Sequence, residues 1–494
     1  MDAVAAAMIL NLIKSALKNK IFWYLVSRYL TFGIQFITSI YIAVKLGAYY
    51  FGIWSFVLLL INIGNQFNWG IGNALNIIYV QNKDDREKCR CYCFNAMLLT
   101  FLIMIPVILF TLYERIFGIV YFQKYQLGNM IYGVALVICL NYVNTLLMNI
   151  SRVKGHFFAI AFNQSVFPVL TLILMFCTNG MILLYLLLGG YVAAMFLSSL
   201  LYYAESRDVW TGKPDSGQMC QIWKKGIYLF FYNACFYLIV LSAKLIITCY
   251  YSVEEFGYFA FAFGLANAAM MLVDSFIFLA FPKMIDMMRV EDNEIIQKKI
   301  DFLRQCYFCC ICGIIYLALP ACFIIMKLIP LYRQSLPIFI IILLALSIYP
   351  YCYGYNTYML AHNHEQIMAL FAGIALLVNI AVTYALVALC HVSIIYSMLG
   401  VICSYMLYSL AVNVCASVFI NKSHKIPAFS SFFPLYVTAP LGSALALAAM
   451  QSRQIFWIPF CIFLLLGIRP VLSTIKVCCH LLKNPQVLCV ESRK

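Results

Sequence analysis

The sequence predicts an all-α polytopic membrane protein with about 14 transmembrane helices, arranged as two six-helix lobes in parallel repeat plus two C-terminal helices. Three observations predict this fold: scarce charge, recurring long apolar segments, and a short motif that occurs twice. Of the 494 residues, 65% are hydrophobic and only 10% are charged, whereas soluble domains carry about 25% charged residues. The mean hydropathy is +0.93. Most of the chain therefore has no water to face.

Long apolar segments recur from Ile21 to Ile475, each of about 20 residues, the length that crosses a bilayer as a helix. Lipid offers no hydrogen-bond partners to the backbone, so a spanning segment must be a helix or part of a closed barrel. The apolar runs are continuous rather than alternating, which favours helices. The second span, over 51–79, is long and contains Gly64, Gly70 and Gly72, which predict a bend or a tilt.

The expected organisation is a cytoplasmic interfacial segment, a lobe of six spans, a cytoplasmic linker, a second lobe of six spans, two further spans and a cytoplasmic tail. In that order, the expected limits are 1–20, 21–203, 204–225, 226–418, 430–475 and 476–494. In the first segment the lysines follow the apolar part, which is the reverse of a secretory signal peptide. We therefore expect an interfacial helix there.

The distribution of Lys and Arg predicts the orientation of the spans. With the N-terminus in the cytoplasm, 24 of the 33 basic residues fall in cytoplasmic segments, six fall outside, and three, Arg28, Lys244 and Arg469, lie within spans. Both termini are thus expected in the cytoplasm. The basic loops also account for the net charge of +15 without a nucleic-acid partner.

A short motif occurs twice along the chain. The first copy, residues 47–56, contains Phe51-Gly52 and ends at Phe56. The second copy, residues 252–261, contains Phe256-Gly257 and ends at Phe261, so the two copies are 205 residues apart. At the same offset Asn62 matches Asn267. Both copies are expected to join two spans on the outer side, so the pattern predicts a parallel repeat of six spans. Such a repeat predicts a central cavity and rocking between inward-open and outward-open states.

Three charged residues within spans are candidate functional residues, because a charge at membrane depth costs about 2.5–3.5 kcal/mol and tends to face protein or water. Arg28 could bind a lipid pyrophosphate through its planar fork, or it could snorkel to the inner headgroups. Asp274 could couple ion flow to transport or act as a gate by pairing with Arg28. It could also form a static pair, or lie at the helix end in the membrane interface. Lys244 could project into the cavity or reach the outer headgroups.

Asparagines in the second span are the candidate cavity lining. Asn62, Asn65, Asn73 and Asn76 follow helical spacing and are expected to form one polar stripe. Asn267 is the matching candidate in the eighth span. Amides donate to and accept from sugar hydroxyls, although amides also serve as hydrogen bonds between membrane helices. Weaker candidates are Asn141, Asn144, Asn163, Gln164 and Asn379.

Several kinds of chemistry have no sequence signature here. There is no phosphate-binding glycine loop and no dinucleotide fingerprint, so ATP-driven pumping by this chain is not expected. The 21 cysteines are scattered through the spans and do not form a disulfide framework. We expect no cofactor, metal site or catalytic residue, and we leave open coupling to a proton or sodium gradient.

The repeated motif resembles the polysaccharide flippases of O-antigen and capsule export, a branch of the multidrug/oligosaccharidyl-lipid/polysaccharide exporter superfamily. The resemblance rests on residues 46–47, 51–56, 70–75, 253–258 and 281–284, and extends over the whole chain in span number and loop size. Family members often carry an acid–base pair late in span seven, whereas Ala243-Lys244 keeps only the base.

The resemblance implies a flippase of the bacterial inner membrane that moves undecaprenyl-pyrophosphate-linked oligosaccharides by alternating access, for lipopolysaccharide O-antigen or capsule biosynthesis. It implies that Arg28 and Lys244 receive the pyrophosphate. The expected partners are the lipid-linked oligosaccharide and membrane lipids, and no nucleic acid is expected. Polysaccharide polymerases and glycosyltransferases of the same process are further candidate partners. The alternatives are an ion-coupled multidrug antiporter on the same scaffold and a polytopic polysaccharide polymerase.

Overall fold

The computed structural model describes residues 20–82, 85–154, 156–206, 210–288, 293–362 and 364–421, with short stretches at 442–443, 446, 457–465, 468 and 471–473. Within these ranges some side chains are not described, among them those of 20–29 and 272–283. The described residues form helices and no strands. Eight helices among them are long and apolar enough to cross a membrane. The all-α membrane fold is confirmed, and the count of 14 spans stays a prediction.

The chain divides into two compact units, Met1–Ala234 and Cys235–Lys494. The described part of the first unit contains seven helices and the start of an eighth. They are α1 (Lys20–Gln66), α2 (Ile71–Gln81), α3 (Arg86–Phe117), α4 (Val120–Lys124), α5 (Met130–Lys154), α6 (Phe157–Leu174), α7 (Gly180–Glu205) and α8 (Ser216–Tyr250), the last of which ends in the second unit.

The second unit continues with six further helices in its described part up to Asn421. Its helices are α9 (Val253–Met287), α10 (Asn293–Leu328), α11 (Ser335–Ile348), α12 (Tyr355–Ala361), α13 (Glu365–Tyr384) and α14 (Leu399–Asn421), with 3₁₀ turns at Pro330–Tyr332, Tyr349–Cys352 and Ile394–Met398. The expected spans over 430–475 and the tail over 476–494 lie mostly outside the described residues.

Helix α1 is interrupted at Gly47, whose backbone has φ 68° and ψ 171°. Only glycine adopts a positive φ without a steric penalty, so Gly47 separates a first segment, Lys20–Leu46, from a second. The first segment packs on α6, where the Thr31 and Ser165 hydroxyls lie 2.7 Å apart and the Lys45 ammonium donates to the carbonyl of Met175. The interruption falls at the predicted first turnaround.

The second span is broken again between α1 and α2. Trp69 and Gly70 both have positive φ, of 52° and 66°. The Asn68 amide bridges the break, because its nitrogen donates to the Asn65 carbonyl at 2.9 Å and its oxygen accepts from the Gly70 N–H at 2.9 Å. The predicted bend is therefore a complete helix break.

The chain between α7 and α8 is held against the start of α3. Asn95, which is fully buried, donates to the Lys213 carbonyl at 3.1 Å and accepts from the Asp215 N–H at 2.9 Å. Nearby, the Tyr92 hydroxyl donates to Gln221 at 2.6 Å. The described part of the expected linker over 204–225 is thus ordered through hydrogen bonds.

The two copies of the repeated motif make the same aromatic contact. Phe56 stacks on Tyr125 with ring centroids 4.0 Å apart, and Phe261 stacks on Tyr332 with centroids 4.1 Å apart. All four rings are buried. Tyr125 follows the short helix α4 and precedes α5, and Tyr332 ends a 3₁₀ turn and precedes α11. The packing therefore supports the pairing of Phe56 with Phe261.

Candidate functional site

Two of the predicted charged residues have a described backbone but no described side chain. Arg28 belongs to the first segment of α1, and Asp274 belongs to α9. Their side chains lie outside the described part of the structure. The expected phosphate contact of Arg28, the coupling role of Asp274 and their mutual pairing stay predictions.

Lys244 lies on α8, six residues before the helix ends at Tyr250, within an apolar candidate span over Asn233–Tyr250. Its side chain is partly buried, and its ammonium sits 3.3 Å from the centroid of the Phe263 ring. Among the described residues it forms no ion pair. A cation over an aromatic face gains about 0.5–2 kcal/mol, which is less than the cost of a charge at membrane depth. The arrangement leaves Lys244 able to bind an anion.

Asn267 lies on α9 one helical turn beyond Phe263, and thus on the same face of the helix. Its side chain is exposed and makes no hydrogen bond to any described residue. Gly264, beside it, is also exposed, and no atom lies within 4 Å of the position a Cβ would take there. This part of α9 therefore places the exposed Asn267 amide one helical turn from Phe263, the ring that the Lys244 ammonium contacts.

The expected single stripe of asparagines is corrected by the helix break. Asn62 and Asn65 lie on α1, whereas Asn73 and Asn76 lie on α2, so 3.6-residue spacing cannot run through all four. Asn62 and Asn73 are exposed, and Asn65 buries its side-chain oxygen with no hydrogen-bond partner among the described residues. The four asparagines therefore form two separate pairs, Asn62 with Asn65 on α1 and Asn73 with Asn76 on α2. The cause is the positive φ of Trp69 and Gly70, which ends the helical register.

Asn76 makes hydrogen bonds between helices. With the Asn76 amide turned so that its oxygen faces Nη2 of Arg152 at 2.6 Å, its nitrogen donates to the backbone carbonyl of Asn149 on α5 at 3.1 Å. A guanidinium can only donate, so the atom facing Arg152 is the Asn76 oxygen. Gly72 makes room for this contact, because a Cβ there would lie 2.5 Å from the Asn149 amide nitrogen. For Asn76 the structure favours hydrogen bonding between helices over contact with a substrate.

Two of the weaker candidates also join helices. Asn144 donates to the Met195 carbonyl at 2.8 Å and accepts from Ser199 at 3.0 Å. Asn379, which is fully buried, donates to the Ile239 carbonyl at 2.7 Å. Buried amides with satisfied partners stabilise a membrane bundle, and neither is free to meet a substrate.

Two exposed polar residues were not predicted from the sequence. Gln35 and Ser39 lie on the first segment of α1, and both side chains are exposed. The signal was present in the spacing, because Arg28, Gln35 and Ser39 are separated by seven and then four residues, which places them on one helical face. An isolated Gln or Ser in a span does not by itself predict a functional site.

No cluster of three or more His, Cys, Asp or Glu residues is placed to hold a metal ion within the described ranges. No disulfide joins two of the described cysteines. The candidate groups that remain are exposed amides, the exposed Ser39 hydroxyl and the partly buried Lys244 ammonium. Such a set can bind anionic and hydroxyl-rich ligands by hydrogen bonding, and it offers no described nucleophile–base pair.

The fold is similar to those of known membrane transporters. It matches the lipid II flippase MurJ in an inward closed conformation with a TM-score of 0.63 and 14% identity, over 92% of this chain and 98% of that chain. It also matches an inward-facing multidrug resistance MATE family transporter of the MOP superfamily, with a TM-score of 0.56 and 11% identity, over 79% of this chain and 94% of that chain.

At these identities the likeness concerns the fold alone. No curated protein matches the chain. A family model described as polysaccharide biosynthesis protein matches residues 17–288, which is more than half of the sequence and includes both copies of the repeated motif. The chain therefore belongs to the polysaccharide biosynthesis protein family, on the fold of MOP-superfamily transporters.

Proposed function

We propose that this protein flips undecaprenyl-pyrophosphate-linked oligosaccharide repeat units from the inner to the outer leaflet by alternating access, for O-antigen or capsule biosynthesis. The observation that carries the proposal is Lys244, a cation within a membrane-spanning helix that no described carboxylate neutralises. Membership in a polysaccharide biosynthesis family supports a glycan substrate. The fold shared with a lipid II flippase supports movement of a lipid-linked one.

A pyrophosphate is the ligand that suits such a cation. Burial in lipid weakens competition from water, so an ammonium attracts an anion more strongly there than in solution. The Phe263 ring below Lys244 holds the ammonium in place without supplying a neutralising charge. Arg28, with its fork of donors, is the second proposed pyrophosphate contact.

The uncharged part of the proposed site would meet the sugars. Asn62 and Asn267 occupy matching positions of the repeat, and both are exposed without a described hydrogen-bond partner. Each amide can donate to and accept from a hydroxyl. The polyprenyl chain, which is as apolar as lipid, has no need of a polar path and would stay in the bilayer.

The remaining parts of the proposal concern energy and location. Coupling to a proton or sodium gradient would pass through Asp274, the acidic residue placed within a span. The protein would reside in a bacterial inner membrane with both termini cytoplasmic, as the excess of basic residues in the expected inner loops favours. Polymerases and glycosyltransferases of the same process would be its functional partners.

The test is transport of labelled lipid-linked oligosaccharide by the full chain in proteoliposomes. We expect Lys244→Ala to lower the rate at least tenfold, Lys244→Arg to retain most of it, and Arg28→Ala with Lys244→Ala to abolish it. Lys327→Ala is the matched control, because Lys327 is exposed at the end of α10. Wild-type transport by the double variant would reject the cationic site.

A second candidate function is export of small cationic molecules by ion-coupled antiport. The likeness to an inward-facing MATE transporter favours it, because the same fold serves that activity. The two functions differ in their expected ligand charge, and a partly buried lysine repels a cationic drug. Transport of cationic dyes with no movement of lipid-linked oligosaccharide would favour the second candidate.

A further inference from the structure

The first segment of α1 is exposed on two opposite sides. One side is apolar and consists of Leu30, Ile37, Tyr41 and Val44, which are 41–64% exposed. The other side carries Gln35 and Ser39, also exposed. Each of these lies two residues from Ile37, which in a helix of 3.6 residues per turn is about 200° around the axis.

Packing fixes which way the segment is turned. Thr31 and Thr38, on a third side, are 7% and 2% exposed, and the Thr31 hydroxyl contacts Ser165 of α6 at 2.7 Å. Lys45 at the other end of the segment donates to the Met175 carbonyl just beyond α6. With contacts at both ends, the segment cannot rotate to exchange its apolar and polar sides.

The two exposed sides cannot both meet lipid tails. The apolar side is suited to lipid, and its residues need no partner. Gln35 and Ser39 make no hydrogen bond to any described residue, and hydrocarbon offers none, so their exposure to lipid would be costly. Arg28 precedes Gln35 by seven residues, so its Cα lies on the same side. That side therefore meets water or a polar ligand.

We propose that Gln35 and Ser39 line the hydrophilic side of the translocation path and contact sugar hydroxyls, and so help to select the glycan. This inference rests on the proposed function. The occupant follows from chemistry: an uncharged amide and a hydroxyl donate and accept without favouring an ion, which suits sugars. The cationic groups remain for the pyrophosphate.

The first experiment measures access to water independently of transport. Full-length Ser39→Cys and Ile37→Cys variants in sealed vesicles are treated with a membrane-impermeant, charged thiol reagent, applied from each side in turn. Modification is quantified peptide by peptide, because the chain has 21 native cysteines. We expect the Ser39→Cys variant to react at least tenfold faster than the Ile37→Cys variant. Equal rates for the two variants, from whichever side the reagent is applied, would overturn the proposed polar side.

The second experiment asks whether sugars are what this side binds. Undecaprenyl-pyrophosphate-linked oligosaccharide is expected to slow modification of the Ser39→Cys variant at least fivefold, whereas undecaprenyl pyrophosphate without sugars slows it much less. Equal protection by the two lipids would overturn the sugar contact and leave the polar side in place. Absence of transport by the wild type would instead reject the proposed function, whatever the modification rates.

The third experiment measures the transport constants. Gln35→Leu is expected to raise the KM for lipid-linked oligosaccharide about fivefold with little change in kcat, and to change the KM for a lipid-linked monosaccharide less. Ile37→Leu, on the apolar side, is the control and should change neither. A Gln35→Leu variant with wild-type KM for both substrates, or with equal increases for both, would overturn the role in glycan selection.

Discussion

The corresponding helices of the two units differ where the second span is broken. In the first unit the helix that contains the repeated motif, α1, ends at Gln66, and the next helix, α2, begins at Ile71. In the second unit the helix that contains most of the motif, α9, runs unbroken from Val253 to Met287. At the 205-residue offset, residues 67–70 match 272–275, which are helical. The repeated motif is therefore compatible with both a broken and an unbroken helix, and the break between α1 and α2 depends on residues of the first unit.

The local cause of the break is visible in its contacts. The Trp69 ring packs on Trp223 at 5.3 Å and on Phe230 at 4.8 Å, both on α8. A Cβ on Gly70 would lie 2.5 Å from the Gly226 carbonyl oxygen, so two glycines let the backbones meet. Aromatic contacts and close backbone approach stabilise a conformation that a regular helix would not adopt. Broken helices of this kind recur at binding sites of transporters.

The largest expected effect tests what the two units share. Phe56→Ala and Phe261→Ala each remove a buried ring that stacks on a tyrosine, and each should lower the free energy of unfolding by about 3–5 kcal/mol. Unfolding of the purified protein in detergent, followed by tryptophan fluorescence, measures both. Losses that differ by more than about 2 kcal/mol would break the equivalence of the two motif copies.

A smaller effect tests what the units do not share. Gly70→Ala places a Cβ against the Gly226 carbonyl at a φ of 66°, which should cost about 2–3 kcal/mol of stability through backbone strain and steric overlap. The same fluorescence assay applies.

The control for this substitution lies in α9. Gly264→Ala meets open space in an ordinary helix, so alanine should be neutral or stabilise by up to about 1 kcal/mol. Equal destabilisation by the two substitutions would show that the break imposes no special demand for glycine.

The smallest effect concerns the amide that bridges the break. Asn68→Ala removes two hydrogen bonds of 2.9 Å, and should lower stability by about 1 kcal/mol. Asn73→Ala removes an exposed amide and should change stability by less than about 0.5 kcal/mol. Indistinguishable values for the two variants would sink the bridging role of Asn68.

The sequence predicted those features that depend on composition and short spacing. Scarce charge and long apolar runs predicted the all-α membrane fold, and Gly70 and Gly72 predicted that the second span is not straight. The matched pair Asn62 and Asn267 was found by offset, and both are exposed. These features depend on the composition of single segments or on a comparison of two short segments, and neither requires knowledge of how the helices pack.

Other features could not be read from local patterns. The bond between Asn76 and Asn149 joins residues 73 positions apart, and the sequence does not say which asparagine meets a helix and which meets a cavity. The contact of Lys244 with Phe263 likewise depends on how α8 and α9 pack. The polar side of α1 emerged only when Thr31 and Ser165 fixed its rotation.

The sequence alone determined that this chain crosses a membrane as helices and carries a repeated motif, because lipid imposes the same demand on every apolar segment of sufficient length. The tertiary structure decided which polar side chains are bonded between helices and which are left exposed. That choice depends on the rotation of each helix about its axis, and rotation is fixed by contacts between residues far apart in the chain.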